Sequence, residues 1–270
     1  MALSFSVLNP LLDLCKPLAI IAMKKTTFIL LIIVFAISCG PNKPEINQTK
    51  SDISGVSKTT NQENQAQEKL KLPEGIKLDS IIFSDEKRKL EIFILIPVSG
   101  ISKLDKALRI ELENRKNNFI ESVDKRIEED KGQMSEIGSD FDVNLVSAYK
   151  DKDIISYCFV ISFYHGGAAH PMTIYYSFNY DLKREKKITF SDYFNVESTK
   201  DTIFLTDLMT KAINTENISV TNLNDMDFNI EKDTISFNFD DYEIASYAEG
   251  IIQARINKSL LKKNIKSNYR

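Results

Sequence analysis

The 270-residue chain reads as an α+β protein, with antiparallel sheets on which one long helix and one or two shorter helices pack. Three observations predict this. Apolar residues alternate with polar ones in several stretches, the period of a strand with one buried face. One long stretch carries them instead at three- and four-residue spacing, the period of a helix with one apolar stripe. The strands are half polar rather than uniformly apolar, which favours antiparallel over parallel pairing.

In chain order, the first two strands are Ile76–Phe83 and Lys89–Val98, joined by the charged turn SDEKRK and limited by Pro97 and Gly100. The long helix comes next. Ser102 is its expected N-cap, with Asp105 three residues on as an acidic capping-box partner. Leu104, Leu108, Leu112, Phe119, Val123 and Ile127 form its stripe, leaving Arg109, Glu113, Arg115 and Lys116 to solvent, and it ends near Asp130. The period then switches to two. Phe141, Val143 and Leu145 mark one strand, Ile155–Phe163 the next and Met172–Tyr180 the third. The turn LKREKK leads to Ile188, Phe190 and the short acidic segment SDYF. A modest helix is expected over Thr199–Ile213, with Phe204, Leu208 and Ala212 on its stripe. Strands at Ile235–Phe239 and Ile251–Ile256 and a short helix at Ser259–Lys263 complete the chain.

The N-terminal quarter reads differently. From Met23 the sequence MKKTTFILLIIVFAISC joins two lysines, an apolar run and a small residue before Cys39, the pattern of a secretory signal over residues 23–38. Ala36-Ile37-Ser38-Cys39 is similar to a bacterial lipobox, which predicts lipidation of Cys39 and a cell-envelope location facing the periplasm or exterior. Acyl burial at about 0.8 kcal/mol per CH₂ makes such an anchor essentially permanent when two or three chains are attached. Residues 1–22 lack a basic residue before Lys16 and contain Pro10 and Pro17, so Met23 is the better start and 1–22 an over-extended leader. Residues 39–74 hold no aromatic side chain and are rich in Asn, Gln, Ser, Thr and Lys, which predicts a disordered tether. Residues 75–270 are expected to form one compact unit.

Lysine and arginine number 35 against 38 aspartate and glutamate, a net charge of −3 that excludes a strongly basic nucleic-acid surface. Only Cys158 among the three cysteines lies in the expected domain, so no intrachain disulfide staples it. Cys158 sits mid-strand, where a buried thiol is inert packing.

Both histidines of the chain lie in YHGGAAHP, at His165 and His170. Five residues apart, they fall on opposite faces of a strand. They converge only where Gly166-Gly167 folds the chain back, and GG between alternating strands predicts such a turn. No third ligand is near in sequence, so neither metal nor other cofactor is expected. Asp240, Asp241 and Glu243 follow a strand as a carboxylate cluster, a glycosidase arrangement in principle but more commonly turn residues. No phosphate loop, zinc signature or nucleophile elbow is present, which favours a non-enzymatic protein.

The order of the elements HGGAAHP, NYDLKREKKITFSDYF and FNFDDYEIASYAEGIIQARI resembles the RsiV-like C-terminal domain family. Ala169-His170, Asn179–Lys187, Ile188–Phe194 and then Tyr242, Ile244, Ala245, Tyr247 and Gly250 fit its four elements, over residues 164–270. Residues 75–163 are similar to the PdaC-like, deacetylase-accessory region found upstream of it. The second hairpin lacks the usual glycine, and Ser246 stands where the family has proline. The resemblance implies a mixed α+β fold and an extracytoplasmic binding or sensing module for a lysozyme-like protein or peptidoglycan. Neither an anti-sigma segment nor a deacetylase domain accompanies it here, so neither activity is carried over. Tyr164, His165, His170, Asp240, Asp241, Tyr242, Glu243 and Tyr247 are the candidate ligand-binding residues. An envelope-glycan hydrolase using His170 with a carboxylate, and a purely structural lipoprotein, are the alternatives.

Overall fold

The computed structural model describes residues 56–60 (as backbone), 70–129, 137–214 and 223–270. The N-terminal expectations, from the leader through the signal to Cys39, lie outside them. The chain lays down a hairpin of β2 (Lys77–Asp85) and β3 (Leu90–Val98), then helix α1 (Ser102–Glu129). Strands β4 (Ser139–Lys150), β5 (Ile154–Tyr164), β6 (Met172–Asp181) and the two-residue β7 (Lys186–Lys187) complete a six-stranded sheet in the order β2-β3-β4-β5-β6-β7.

Every neighbouring pair is antiparallel except β3 and β4, which run parallel. The 28-residue α1, rising about 1.5 Å per residue, carries the chain back along the sheet before β4 starts, so two strands joined through it point the same way. Its Leu104, Leu108, Leu112, Phe119 and Val123 are buried against Ile92, Ile94, Val143, Tyr157, Phe159 and Phe178 of the sheet. Ser102 is the first helical residue rather than the cap. Asp105 reaches back to the amides of Ser99 (2.9 Å) and Gly100 (3.0 Å), while the Ser99 hydroxyl accepts from Ile101 N at 3.1 Å. Ser99 thus supplies the hydroxyl expected of Ser102.

A smaller sheet joins an N-terminal strand to three C-terminal ones: β1 (Val56–Thr60), β8 (Asp227–Ile230), β9 (Thr234–Phe239) and β10 (Ile252–Asn257), in the order β1-β10-β9-β8. Between β7 and β8 lie α2 (Phe190–Tyr193) and α3 (Thr199–Ile213), both opened by capping boxes, Thr189 with Asp192 and Ser198 with Asp201. The short α4 (Lys258–Leu261) follows β10. One face of this sheet, with Phe228, Ile230, Ile235, Phe237, Ile252 and Ala254, packs on Leu205, Met209, Ala212 and Ile213 of α3.

Two expectations change here. The tether over 39–74 gives way at Val56–Thr60, which pairs antiparallel with β10 from Val56↔Ile256 to Thr60↔Ile252. A ladder uses backbone groups that every residue carries, so a polar composition does not prevent edge pairing. On α3 the buried stripe is Leu205, Met209, Ala212 and Ile213, with Phe204 left 43% exposed. The apolar run Ile203-Phe204-Leu205 allowed two phases, and the sheet selected the one that inserts Met209.

The sheets meet face to face through polar groups. From the large sheet come Ser156, Ser177 and Asn179; from the small one come Asp227, Asn229, Ser236 and Asn238. Ser156 Oγ donates to Asn179 Oδ1 (2.6 Å) and accepts from Ile230 N (2.9 Å), and Asn179 Nδ2 donates to Phe228 O (2.7 Å). Asn238 Nδ2 lies between Ser177 Oγ (2.9 Å), Asp227 Oδ1 (3.0 Å) and Asn229 Oδ1 (3.3 Å), while its Oδ1 accepts from Gln253 Nε2 (2.8 Å). The described residues from Val56 to Arg270 form one compact unit with an apolar core on each outer side of this layer.

Candidate functional site

The β5–β6 connection decides where the histidines go. Ala168 N donates to His165 O at 2.8 Å, closing a turn whose third residue, Gly167, has φ +85°. A side chain there would enter the left-handed region, so glycine is the residue that fits. Tyr164 Oη donates to Ala168 O (3.0 Å) and Gly166 N to Ser139 Oγ (2.9 Å), which fixes the tip. The two histidines have no partner in common. His165 joins the α1 side of the sheet, and His170 joins the connection between β9 and β10.

His165 lies 4.8 Å, ring to ring, from Phe119 and 6.0 Å from Phe163. Its Nε2 is 2.7 Å from Ser122 Oγ, whose own proton goes to Phe119 O at 2.7 Å. The ring nitrogen therefore donates to serine, the reverse of what activates a nucleophile. Burial, with the Arg126 charge nearby, lowers the pKa of His165, so the ring is neutral at neutral pH. Phe119, Phe141, Phe163 and Arg115 line the shallow depression beside it, of about 240 Å³. Arg115 is not simply solvated: its guanidinium lies 3.9 Å from the Tyr176 ring centroid.

His170 belongs to an aromatic cluster. Its ring stacks on Tyr247 at 4.0 Å and lies 5.9 Å from Tyr242, and the two tyrosines stack at 5.6 Å. His170 Nδ1 is 2.9 Å from Pro171 O, an atom that only accepts, so Nδ1 carries the proton. In the neutral ring Nε2 then accepts from Tyr242 Oη at 2.9 Å. Tyr242 is 53% exposed and sits at φ +67°, a conformation costly for an aromatic residue. Sequence reasoning included Tyr242 but gave no sign of its strained backbone, which depends on how the loop is held.

That loop is held by its carboxylates. Among the described residues β6 pairs with β5 along one side, while its other side meets β7 only at Tyr180 and Asp181. The outward amides of Thr173, Tyr175 and Ser177 donate to Asp241 Oδ2 (2.8 Å), Asp240 Oδ1 (2.7 Å) and Asp227 Oδ2 (2.8 Å). Asp241 N also returns a bond to Thr173 O at 3.2 Å. Three carboxylates thus occupy the places where the carbonyls of another strand would lie. Glu243 supports the loop from within, its Oε2 accepting from Asp240 N at 2.8 Å. Burial pushes the Asp240 carboxyl up to about 7, with Glu243, Asp227 and Asp241 adding like charge. Asp227 was missed from sequence, because a lone aspartate opening a short strand carries no signal of an edge-capping role.

Cys158 is fully buried, and burial raises its thiol pKa well above the usual range, as inert packing requires. Among the described residues no group of three or more His, Cys, Asp or Glu side chains is placed to hold a metal, and no helix is long and apolar enough to cross a membrane.

Residues 182–259 match the family described as "Protein of unknown function (DUF3298)". No curated protein matches the chain. A DUF3298 family protein from Pseudomonas aeruginosa PAO1 has a similar crystal structure, at TM-score 0.52 and 13% identity, covering 72% of this chain and 96% of that one. A DUF3298 member from Bacteroides fragilis NCTC 9343 aligns at TM-score 0.49 and 17% identity, over 72% of this chain and 94% of that one. The matched residues, 182–259, include β8, β9, β10 and the loop that presents Tyr242 and Tyr247.

Proposed function

We propose that the protein is a non-enzymatic, lipid-anchored envelope module that binds cell-wall glycan on the ring cluster of His170, Tyr242 and Tyr247. The observation that carries this reading is the cluster itself: Tyr247 stacks on both His170 and Tyr242 at one loop junction, and Tyr242 is more than half exposed on a left-handed backbone. A sugar offers an apolar face of C–H groups to an aromatic plane and hydroxyls to its polar rim, and tyrosine supplies both at low entropic cost. Strain concentrated at an exposed aromatic is a frequent companion of ligand contact.

The resemblance to RsiV-like and PdaC-like proteins supports a peptidoglycan-associated ligand, and the Met23–Cys39 pattern supports an anchored position facing it. A basic, lysozyme-like partner is favoured less. The carboxylates of Asp240 and Asp241 that would attract it are engaged with amides of β6.

The test is co-sedimentation of the full-length protein, in nonionic detergent, with purified peptidoglycan sacculi. The wild-type chain is expected to pellet with sacculi, and Tyr242→Ala together with Tyr247→Ala to weaken this about tenfold or more, a loss of roughly 1.4 kcal/mol. Equal pelleting of both proteins removes these rings as the site. Saturable binding to c-type lysozyme without binding to sacculi transfers the reading to a protein ligand. Release of soluble muropeptides, abolished by His170→Ala, replaces it with a hydrolase.

A further inference from the structure

The two edges of the six-stranded sheet are treated differently. At the β6 edge Asp227, Asp240 and Asp241 cap the outward amides. At the opposite edge lies β2, nine residues long, regularly paired to β3 from Lys77↔Val98 to Asp85↔Leu90, and with no strand on its outer side among the described residues. It contains neither proline nor bulge, the usual devices that blunt an edge. Ile82 is 75% exposed and Leu78 43% exposed, on the same face as the half-buried Phe93 and Leu95 of β3.

We infer that β2 is a self-association edge, pairing antiparallel with β2 of a second copy about a two-fold axis at Ile81, to make one sheet continuous across the dimer. The strand, KLDSIIFSD, carries opposite charges at its two ends, and that register pairs them. Lys77 then faces Asp85 of the partner at both ends, Leu78 faces Ser84, Ser80 faces Ile82, the two Ile81 residues meet at the centre, and Asp79, held by Arg109 at 2.8 Å, lies opposite Phe83. Every residue meets one from the same face, as pleat alternation demands.

The charges argue for this occupant. Arg88 is shared between Asp85 (2.6 Å) and Asp124 (2.6 Å), which leaves that group one negative charge in excess. Lys77 has no ion-pair partner among the described residues, and the register delivers it to the Asp85 group of the second copy. The two Ile82 side chains lie diagonally across the axis and shield each other. With Phe93 and Leu95 of each copy they form one apolar stripe. An isologous interface of this kind closes on itself and leaves no further edge to propagate.

Sedimentation of the full-length chain in nonionic detergent over a concentration series tests it. The wild-type protein is expected to shift from monomer to dimer, and Ile82→Lys, which places two cations beside the axis at a position already open to solvent, to raise the midpoint about tenfold or more. The register has its own test by mild oxidation, with the unmodified chain as control for the natural cysteines. Ile81→Cys places two thiols directly opposite, within cystine reach, and gives a cross-linked dimer. Ser84→Cys places them some six residues apart along the ladder, about 20 Å at 3.3 Å per residue, and does not. A chain that stays monomeric through the high-micromolar range, a dimer indifferent to Ile82→Lys, or Ser84→Cys cross-linking as readily as Ile81→Cys would each overturn the inference.

Discussion

Asp240 combines two demands that pull against each other. Its carboxylate accepts the Tyr175 amide at 2.7 Å, yet burial beside three other carboxylates pushes it up to about 7, from the usual 3.8. A carboxyl whose folded pKa lies above its unfolded value binds a proton more tightly when folded. Its stabilising contribution is therefore complete below about pH 4 and lost as pH rises through 7. Asp240→Asn keeps an oxygen for Tyr175 and removes the like charge. The expected result is a variant more stable than wild type above pH 7, with an advantage that shrinks steadily toward pH 4. Chemical denaturation at several pH values checks this, and an advantage that does not depend on pH contradicts it. The same residue shows how sequence can mislead. A run of acidic residues after a strand looks solvated and free, but which backbone amides lie within reach is set by a strand more than sixty positions away.

At the scale of elements, the informative feature is the polar layer between the sheets. Strand alternation correctly split β5 and β6 into an apolar and a mixed face, but a mixed face reads from sequence as solvent-facing. Here Ser156, Ser177 and Asn179 are buried, because the opposed face of the small sheet is equally polar and satisfies them. Such a layer is stable while every member is bonded and costly once one is lost. Asn238→Leu removes the donor to Ser177 and Asp227 and the acceptor for Gln253. A destabilisation of about 2–4 kcal/mol is expected, since each buried group left unpaired costs roughly 1–3 kcal/mol. Urea unfolding measures it, and a change below about 0.5 kcal/mol would mean that water replaces these bonds.

For the molecule as a whole, the question is whether two apolar cores behave as one. Leu108 is fully buried under α1 and Met209 under α3, on opposite outer sides of the inter-sheet layer. The hydrogen bonds across that layer couple the cores. Leu108→Ala and Met209→Ala are therefore each expected to cost about 2–5 kcal/mol and to lower one common melting transition, by about 2–4 °C per kcal/mol. Calorimetry decides the matter. Two separate transitions, each moved by only one variant, would make the halves independent folding units.

Much of this architecture was legible from residues close in sequence. The α+β class, the long helix with its leucine stripe, the strands from β2 to β6 and the turn at Gly166-Gly167 all follow from periodicity and turn chemistry, which are local properties of the chain. That turn implies a shared rim for His165 and His170, whereas the structure sends them apart, His165 to Ser122 of α1 and His170 to Tyr242 and Tyr247, because each ring follows the distant segment packed beside it. What depended on the tertiary structure were the pairings. The parallel contact of β3 with β4, the edge strand at Val56–Thr60, the phase of α3 and the capping of β6 by Asp227, Asp240 and Asp241 each join segments distant in sequence. Local periodicity states that a residue has a buried or a polar side. It does not state which distant segment meets that side, and that choice turned carboxylates expected to greet a ligand into the clasp that holds His170, Tyr242 and Tyr247 together.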